Sequence, residues 1–222
     1  MRRTESASEP VILRAAARRI VRLAARALLL ALLPFLVLVK VAVFLYTHRG
    51  YSTVLALAGG TACTAAVVTS YAAWVWHRLT GRVRLTLVAR RFALPLVVAY
   101  CGYELIYLSS ANAKSESVRA YYASLHPLLR VAVSTLILID RDAVITDLAR
   151  RPEDYSTMGL LPNDGSLHYV QRDGYAHAAD LRTAGRGMVT NRLVQLYFWS
   201  MGFGTLRHTG TLDHLHVELP VR

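Results

Sequence analysis

Three runs of apolar residues fill the first half of the chain and predict membrane-spanning helices. Residues 27–47 contain a single charge, Lys40, and residues 52–76 contain none. Each run reaches the roughly 20 residues that a helix needs to cross a bilayer. Residues 92–108 form a shorter run that Glu104 interrupts, and this pattern also fits a buried helix of a soluble fold. The pattern predicts a membrane anchor of three helices, with two as the alternative.

Shorter patterns follow, and they predict a small α+β domain over residues 111–222. The order of elements is mixed and does not repeat, as is typical of this fold class. Turn-forming Pro, Gly and Asn-Asp-Gly predict a loop in the middle of the segment. The predicted helices are 117–124, 127–139 and 190–201, the predicted strands are 143–147, 175–181 and 214–219, and the predicted loop is 152–165.

Net charge changes the picture, because almost all of it belongs to the apolar half. The whole chain carries +12, of which residues 1–110 contribute +11 and residues 111–222 only +1. No Asp or Glu occurs between Glu9 and Glu104. A nucleic-acid-binding protein would carry its basic surface on a folded soluble domain. Here arginines flank apolar runs, so the lipid bilayer is the expected partner and nucleic acid is excluded.

The distribution of arginines predicts an orientation. Seven arginines lie in residues 1–26, one lies in the first connection around residues 48–50, and five lie between the second and third runs. The positive-inside rule places residues 1–26 and the second connection in the cytoplasm. A transmembrane region of three spans over residues 27–110 then puts residues 111–222 outside, whereas two spans would leave them inside.

Histidine and carboxylate side chains in the second half are candidate metal ligands. Six of the eight histidines lie there, and four of these occur in two short stretches with Asp residues. Catalytic zinc uses three such ligands and keeps one position open for water, whose proton a nearby carboxylate must accept. On a strand, His214 and His216 share one face and Asp213 lies on the other, unless the strand entry turns inward. The candidates are His168, His177, Asp180, Asp213, His214 and His216.

Two motifs around these residues resemble the family of zinc D-alanyl-D-alanine carboxypeptidases and L-alanyl-D-glutamate endopeptidases. The family's first motif is Ser-x-His-x-x-Gly-x-Ala-x-Asp, and its last is Asp or Glu, two residues, then His. Here Ser166-Leu167-His168-Tyr169 and Ala178-Ala179-Asp180 match the two ends of the first motif, and Asp213-His214-Leu215-His216 matches the last. The resemblance covers about residues 115–220 and leaves the membrane half outside.

The resemblance implies a zinc-peptidase-like domain that cleaves the peptide part of bacterial peptidoglycan, at either a D-Ala-D-Ala or an L-Ala-D-Glu bond. It implies a Zn²⁺ cofactor and a place on the outer side of the bacterial cytoplasmic membrane, which agrees with three spans. The implied roles are zinc ligand for His168, Asp180 and His216, general base for Asp213, and substrate binding for Ser166 and for Arg150 or Arg151.

The first motif departs from the family pattern, and this leaves alternatives open. The family places six residues between its His and Asp, whereas eleven separate His168 from Asp180. Either residues 170–174 are an insertion that loops out, or His177 replaces His168 as ligand; His214 is the alternate on the last strand. A second hypothesis is an inactive peptidase-like domain that binds wall peptide or supports an envelope assembly. A third is a purely structural or pore-forming membrane protein.

Overall fold

The computed structural model describes residues 9–157, 159, 161, 163, 165–210 and 213–221. Within these residues the protein is mostly helical, with one small antiparallel sheet. The helices are α1 (Glu9–Thr47), α2 (Thr53–Thr80), α3 (Leu85–Val88), α4 (Leu94–Ile106), α5 (Glu116–Ala120), α6 (Pro127–Ile139), α7 (Pro152–Thr157) and α8 (Met188–Met201). The strands are β1 (Ile145–Asp147), β2 (Ala178–Arg182), β3 (Gly204–His208) and β4 (His214–Glu218).

Three helical segments are long and apolar enough to cross a membrane, as the sequence predicts. They are Ala16–Thr47, Thr53–Thr80 and Leu85–Ile106. The third is longer than the predicted 92–108, because α3 continues through a π-helical turn at Ala89–Ala93 into α4. The first, with 32 residues, is longer than the roughly 20 residues that a simple span needs.

Small side chains allow α1 and α2 to approach each other closely. A Cβ atom added at Gly60 of α2 would lie 2.7 Å from the Leu38 carbonyl oxygen of α1. Nearby, the Thr64 hydroxyl donates to the Pro34 carbonyl oxygen of α1 at 3.2 Å. Small residues and hydroxyl groups are typical of contacts between membrane helices, where close packing replaces the hydrophobic effect.

The sheet has the strand order β1-β2-β4-β3, and all neighbouring strands are antiparallel. Because side chains alternate along a strand, the sheet has two different faces. Leu181, Leu215 and Val217 lie on the buried face, whereas Asp180 and His216 lie on the opposite face. One face of the sheet therefore packs into the core, and the opposite face carries the polar candidate site residues.

Helix α6 connects the sheet to the long helices. Most of its residues are buried, and they belong to one apolar core that also contains Leu38 of α1, Leu181 of β2 and Phe198 of α8. At its start, a proline follows the capping residue His126, whose ring accepts a hydrogen bond from the Leu128 amide. The core thus runs continuously from the long helices into the sheet, across residue 110.

Most predicted elements of the second half are present, with two differences. Residues 152–157, predicted as loop, form helix α7, whose first turn contains Glu153 and Asp154. Acidic residues favour a helix start, and this signal outweighs the turn-forming composition that follows. The second difference is strand β3, Gly204–His208, which was not predicted. It follows the end of α8 almost directly and pairs antiparallel with β4, which begins six residues later.

Candidate metal centre

The candidate site begins with a pair of residues on neighbouring strands. Asp180 of β2 and His216 of β4 are partners in the antiparallel register, so their side chains emerge side by side from the same face. The Oδ1 atom of Asp180 lies 2.8 Å from Nδ1 of His216. Asp180 is almost fully buried, whereas His216 is partly open to solvent.

His168 completes the cluster from the loop before β2. Its Nε2 atom lies 3.4 Å from both Nδ1 of His216 and Oδ1 of Asp180. Its Nδ1 atom donates to the Leu148 carbonyl oxygen, and this contact leaves the lone pair of Nε2 directed at the other two residues. The donor atoms of His168, Asp180 and His216 all lie within 4.8 Å of one another, as a shared metal ion requires.

The longer spacing between His168 and Asp180 is absorbed by a turn. The Gln171 amide donates to the Tyr175 carbonyl at 2.8 Å, and the Gly174 amide donates to the Gln171 carbonyl at 2.9 Å. Gly174 has a φ of +84°, a conformation that glycine adopts without strain. Val170 and Ala176 form a bridge at the base of this turn. The turn closes residues 170–176 into a compact loop, so that His168 lies close to Asp180 despite the eleven residues between them.

Each of the three residues is held by a further contact. Arg150 donates from Nη2 to Oδ2 of Asp180 at 3.1 Å, and its Nε atom donates to Asp147. Oε2 of Glu218 lies 3.4 Å from Nε2 of His216. Together with the Leu148 carbonyl, these groups orient all three candidate ligands, and such outer contacts are typical of metal sites in proteins.

The electrostatics of the cluster favour a charged carboxylate. Burial alone would raise the pKa of Asp180, but its contacts with the His168 and His216 rings hold it well below its usual range. Burial alone would lower the pKa of His216, but the hydrogen bond with Asp180 outweighs burial and raises it. Asp180 therefore carries a negative charge at neutral pH, which is the form that binds a cation.

A cleft of about 900 Å³ opens over this cluster. Ser166, His168, Asp180 and His216 line it, and so does Arg150. The hydroxyl of Ser166 accepts hydrogen bonds from the Tyr155 hydroxyl at 2.6 Å and from the His168 amide at 3.3 Å. Ser166 therefore positions the loop that carries His168, in addition to any contact with substrate.

Asp213 lies at the edge of the same cleft, with its carboxylate already engaged. It accepts hydrogen bonds from Nε and Nη2 of Arg207, at 3.2 and 2.9 Å, and from the Thr183 hydroxyl. The hydrogen bonds from Arg207, followed by the one from Thr183, lower the pKa of Asp213. Among the residues that the structure describes, the carboxylate nearest to His216, apart from Asp180, is that of Glu218.

The remaining candidate residues occupy different places. His214 shares the face of His216, and its Nε2 atom lies 3.7 Å from Oδ2 of Asp180, while its ring stacks on His208. Arg151 is exposed and is not among the described residues that line the cleft. His177 lies apart from the cluster, and its ring contacts His126 instead. The geometry thus brings His168, rather than His177, to Asp180 and His216.

His177 belongs to a second group with His126 and Asp173, whose donor atoms also lie within 4.8 Å of one another. The Leu128 amide donates to Nδ1 of His126 at 3.2 Å, so the proton of a neutral His126 ring must be on Nε2. That nitrogen lies 3.0 Å from the Thr53 hydroxyl and 3.6 Å from Asp173. A protonated Nε2 cannot bind a metal ion. The second group therefore joins α2 to the turn before β2 through hydrogen bonds.

Two features of the candidate site were missed in the sequence. Glu218 follows His216 by two positions and so shares its face, a signal that strand alternation contains. The contact of His168 with the Leu148 carbonyl has no such signal, since it joins positions 20 residues apart through a backbone atom.

No family model matches the chain, and neither the curated proteins nor the solved structures include a significantly similar one.

Proposed function

We propose that the protein is a membrane-anchored, zinc-dependent peptidase that acts on the peptide part of the bacterial cell wall. The observation that supports this most strongly is the convergence of His168, Asp180 and His216 within 4.8 Å at the base of a cleft. Two His and one carboxylate are a common ligand set of catalytic zinc. The motif resemblance adds the substrate class.

The residues present fit a zinc ion. Two imidazole rings and one carboxylate converge, and each is oriented by Leu148, Arg150 or Glu218. When bound by three protein ligands, zinc supplies an open position and a water of lowered pKa for hydrolysis. In this proposal His168, Asp180 and His216 hold the ion, and their neighbours orient these ligands.

Other residues of the cleft suit a peptide substrate. Lys114 lines the cleft, and in the described part of the chain its ammonium group has no carboxylate partner, so it is available for a carboxylate of the stem peptide. Arg150 adds positive charge next to the cluster but already contacts Asp147 and Asp180. We assign proton transfer to Asp213, as the motif implies, and Glu218 is the competing candidate because it lies close to His216.

The anchor and its orientation form part of the proposal. His126 contacts Tyr46 near the end of α1 and Thr53 at the start of α2. The sheet domain, which begins at residue 111, therefore lies at the same end of the long helices as the connection between α1 and α2, which contains one arginine. The connection that contains five arginines lies at the opposite end. The positive-inside rule makes this end the outer one, where peptidoglycan lies.

The alternative is an inactive domain that binds wall peptide without cleaving it. One observation favours it: Arg207 and Thr183 occupy the carboxylate of Asp213, which in that state cannot accept a proton readily. In this case the cleft binds a peptide, and no peptide is cleaved whether or not the metal ion is present.

The test uses the full chain in detergent or nanodiscs, because the core is shared by the long helices and the sheet. Zinc-loaded protein is incubated with purified stem peptides that contain both bond types, and the products are separated by mass. Cleavage that stops with a chelator and in His216→Ala supports the peptidase. A protein that binds zinc and peptide but cleaves neither bond supports the inactive domain. A protein that binds neither refutes both.

Orientation is tested separately with cysteine labelling. Cys63 and Cys101 are replaced by Ser, and single cysteines are introduced at Ser117 in the sheet domain or at Arg82 in the second connection, both exposed. In intact cells a membrane-impermeant maleimide should label Ser117→Cys, whereas Arg82→Cys should react only after lysis. The reverse pattern would place the domain inside and contradict a role on the cell wall.

A further inference from the structure

Helix α8 exposes a row of large apolar side chains. Val189, Leu193, Leu196 and Trp199 are 69%, 60%, 53% and 66% exposed. Their spacing of four, three and three residues places them on one side of the helix. The opposite side packs into the core through residues such as Phe198. Both sides of α8 are therefore apolar, although the sheet domain covers only one of them.

Two contacts fix α8 to the first long helix. Nζ of Lys40 donates to the Ser200 carbonyl oxygen at 2.8 Å. Gly202, directly after α8, approaches so closely that an added Cβ atom would lie 3.2 Å from Cγ1 of Val43. The end of α8 that carries Trp199 is thus fixed beside α1.

A second pair of contacts sets the depth of α8. The Tyr197 hydroxyl donates to the Ala132 carbonyl of α6 at 2.9 Å, and one turn further along α6 the Thr135 hydroxyl lies 2.9 Å from that of Tyr100. Tyr100 precedes the end of the third long helix at Ile106 by six residues, or about 9 Å at 1.5 Å per residue. Through α6, α8 is held beside the outer part of a membrane-spanning segment.

We propose that α8 lies in the interface between membrane and water on the side of the bilayer where the sheet domain lies, with Val189, Leu193, Leu196 and Trp199 in contact with lipid. Interfacial helices bury their apolar side by about 5–10 Å at the boundary between headgroups and acyl chains, a depth similar to that of Tyr100. Tryptophan favours this zone, and Arg192, which lies within the exposed side, extends its charged end to the headgroups.

This contact determines how the cleft faces the membrane, and it does not depend on catalysis. Phe198 of α8 belongs to the same core as Leu215 and Val217 on the buried face of the sheet. Asp180 and His216 lie on the other face. With α8 in the interface, the cleft opens away from the bilayer, and its substrate arrives from the aqueous side rather than through the lipid.

The experiment measures the surroundings of Trp199 by fluorescence. Trp74→Phe and Trp76→Phe leave Trp199 as the single tryptophan of the full chain in nanodiscs. A matched control adds Trp199→Phe and Val170→Trp, since Val170 is also exposed but lies in the turn before β2, on the sheet domain. Circular dichroism melting verifies that both variants fold. Quenchers are lipids brominated near either end of the acyl chain, and iodide in the buffer.

The expected result is a loss of Trp199 fluorescence with brominated lipids, larger for bromine near the glycerol end than near the methyl end. The Val170→Trp control should respond to iodide alone. Quenching of Trp199 by iodide and not by lipid would overturn the proposal, because the row would then face water. Protection from both quenchers would also overturn it, because a protein surface such as a second copy of the chain would then cover the row.

Discussion

Asp180 and His216 are direct partners in the register of β2 and β4, and their side-chain atoms Oδ1 and Nδ1 lie 2.8 Å apart. A shift of this register by one residue would turn one of them to the buried face, next to Leu181 or Leu215. The apolar pattern of the two strands therefore holds the candidate metal centre together. Chemistry and folding depend on the same register.

The first prediction concerns metal stoichiometry. We expect about one zinc per chain rather than two. In the first group Nε2 of His168 keeps its lone pair, whereas in the second group Nε2 of His126 carries the ring proton. His168→Ala and His216→Ala should abolish binding, and His177→Ala should leave it intact. Metal analysis of purified full-length protein measures this directly.

The His177→Ala variant also serves as the control for nonspecific effects of losing a buried histidine. Two zinc ions per chain, with one lost in His177→Ala, would show that the second group binds metal and that the tautomer argument for His126 is wrong. Absence of zinc from folded wild-type protein would contradict the proposed cofactor.

The second prediction separates the two candidate bases. Asp213→Asn should abolish peptide cleavage without loss of zinc, since general acid–base groups typically contribute about 10²–10⁴-fold to rates. Glu218→Gln should weaken zinc binding by about 10–100-fold, because Glu218 contacts His216 in the manner of an outer-shell carboxylate. Cleavage rates at saturating zinc and zinc titrations distinguish these effects.

The opposite outcome is equally informative. If Glu218→Gln abolishes cleavage at saturating zinc while Asp213→Asn retains it, proton transfer belongs to Glu218. The contacts of Asp213 with Arg207 and Thr183 would then be structural.

The sequence predicts local elements well and long-range contacts poorly. The start and end of α6 agree with the predicted 127–139, because proline after His126 and a continuous apolar run define them locally. The three long helices follow from the same kind of signal. The close approach of His168 to His216 rested on motif resemblance, since periodicity carries no information about residues 48 positions apart.

Contacts that cross the boundary between the two halves could not be predicted. The hydrogen bond between Thr53 and His126 spans 73 residues, and that between Lys40 and Ser200 spans 160. The sequence places Lys40 as the single charge in the apolar run 27–47, but the carbonyl it meets depends on how the sheet domain packs against α1.

The third prediction tests the packing of the long helices. Gly60→Ala should lower the melting temperature, since the new Cβ would lie 2.7 Å from the backbone oxygen of Leu38, and overpacking costs about 1–3 kcal/mol. Gly102→Ala in α4 is the matched control, because no atom lies within 4 Å of its added Cβ. The control should be neutral or slightly stabilising, as alanine favours helices over glycine. Equal effects of both changes would argue against close packing of α1 and α2.

The last prediction concerns acid stability through Asp173. Partial burial alone would raise the pKa of Asp173, but hydrogen bonds from His177 and the Tyr175 amide outweigh it and lower the pKa. A carboxyl whose pKa is lower in the folded state stabilises that state above its unfolded pKa, about 3.9, and the contribution is lost as the pH falls through the folded value.

Asp173→Asn should therefore lower the melting temperature at pH 7, and its difference from wild type should shrink as the pH falls below about 4, where the wild-type carboxyl takes up a proton. Asp142→Asn, at an exposed position after α6, controls for the loss of a surface charge and should change little at either pH. Thermal melts of the full chain across the acid range supply the measurement. If the difference in melting temperature between Asp173→Asn and wild type stays constant as the pH falls, the charge of the Asp173 carboxylate does not stabilise the fold.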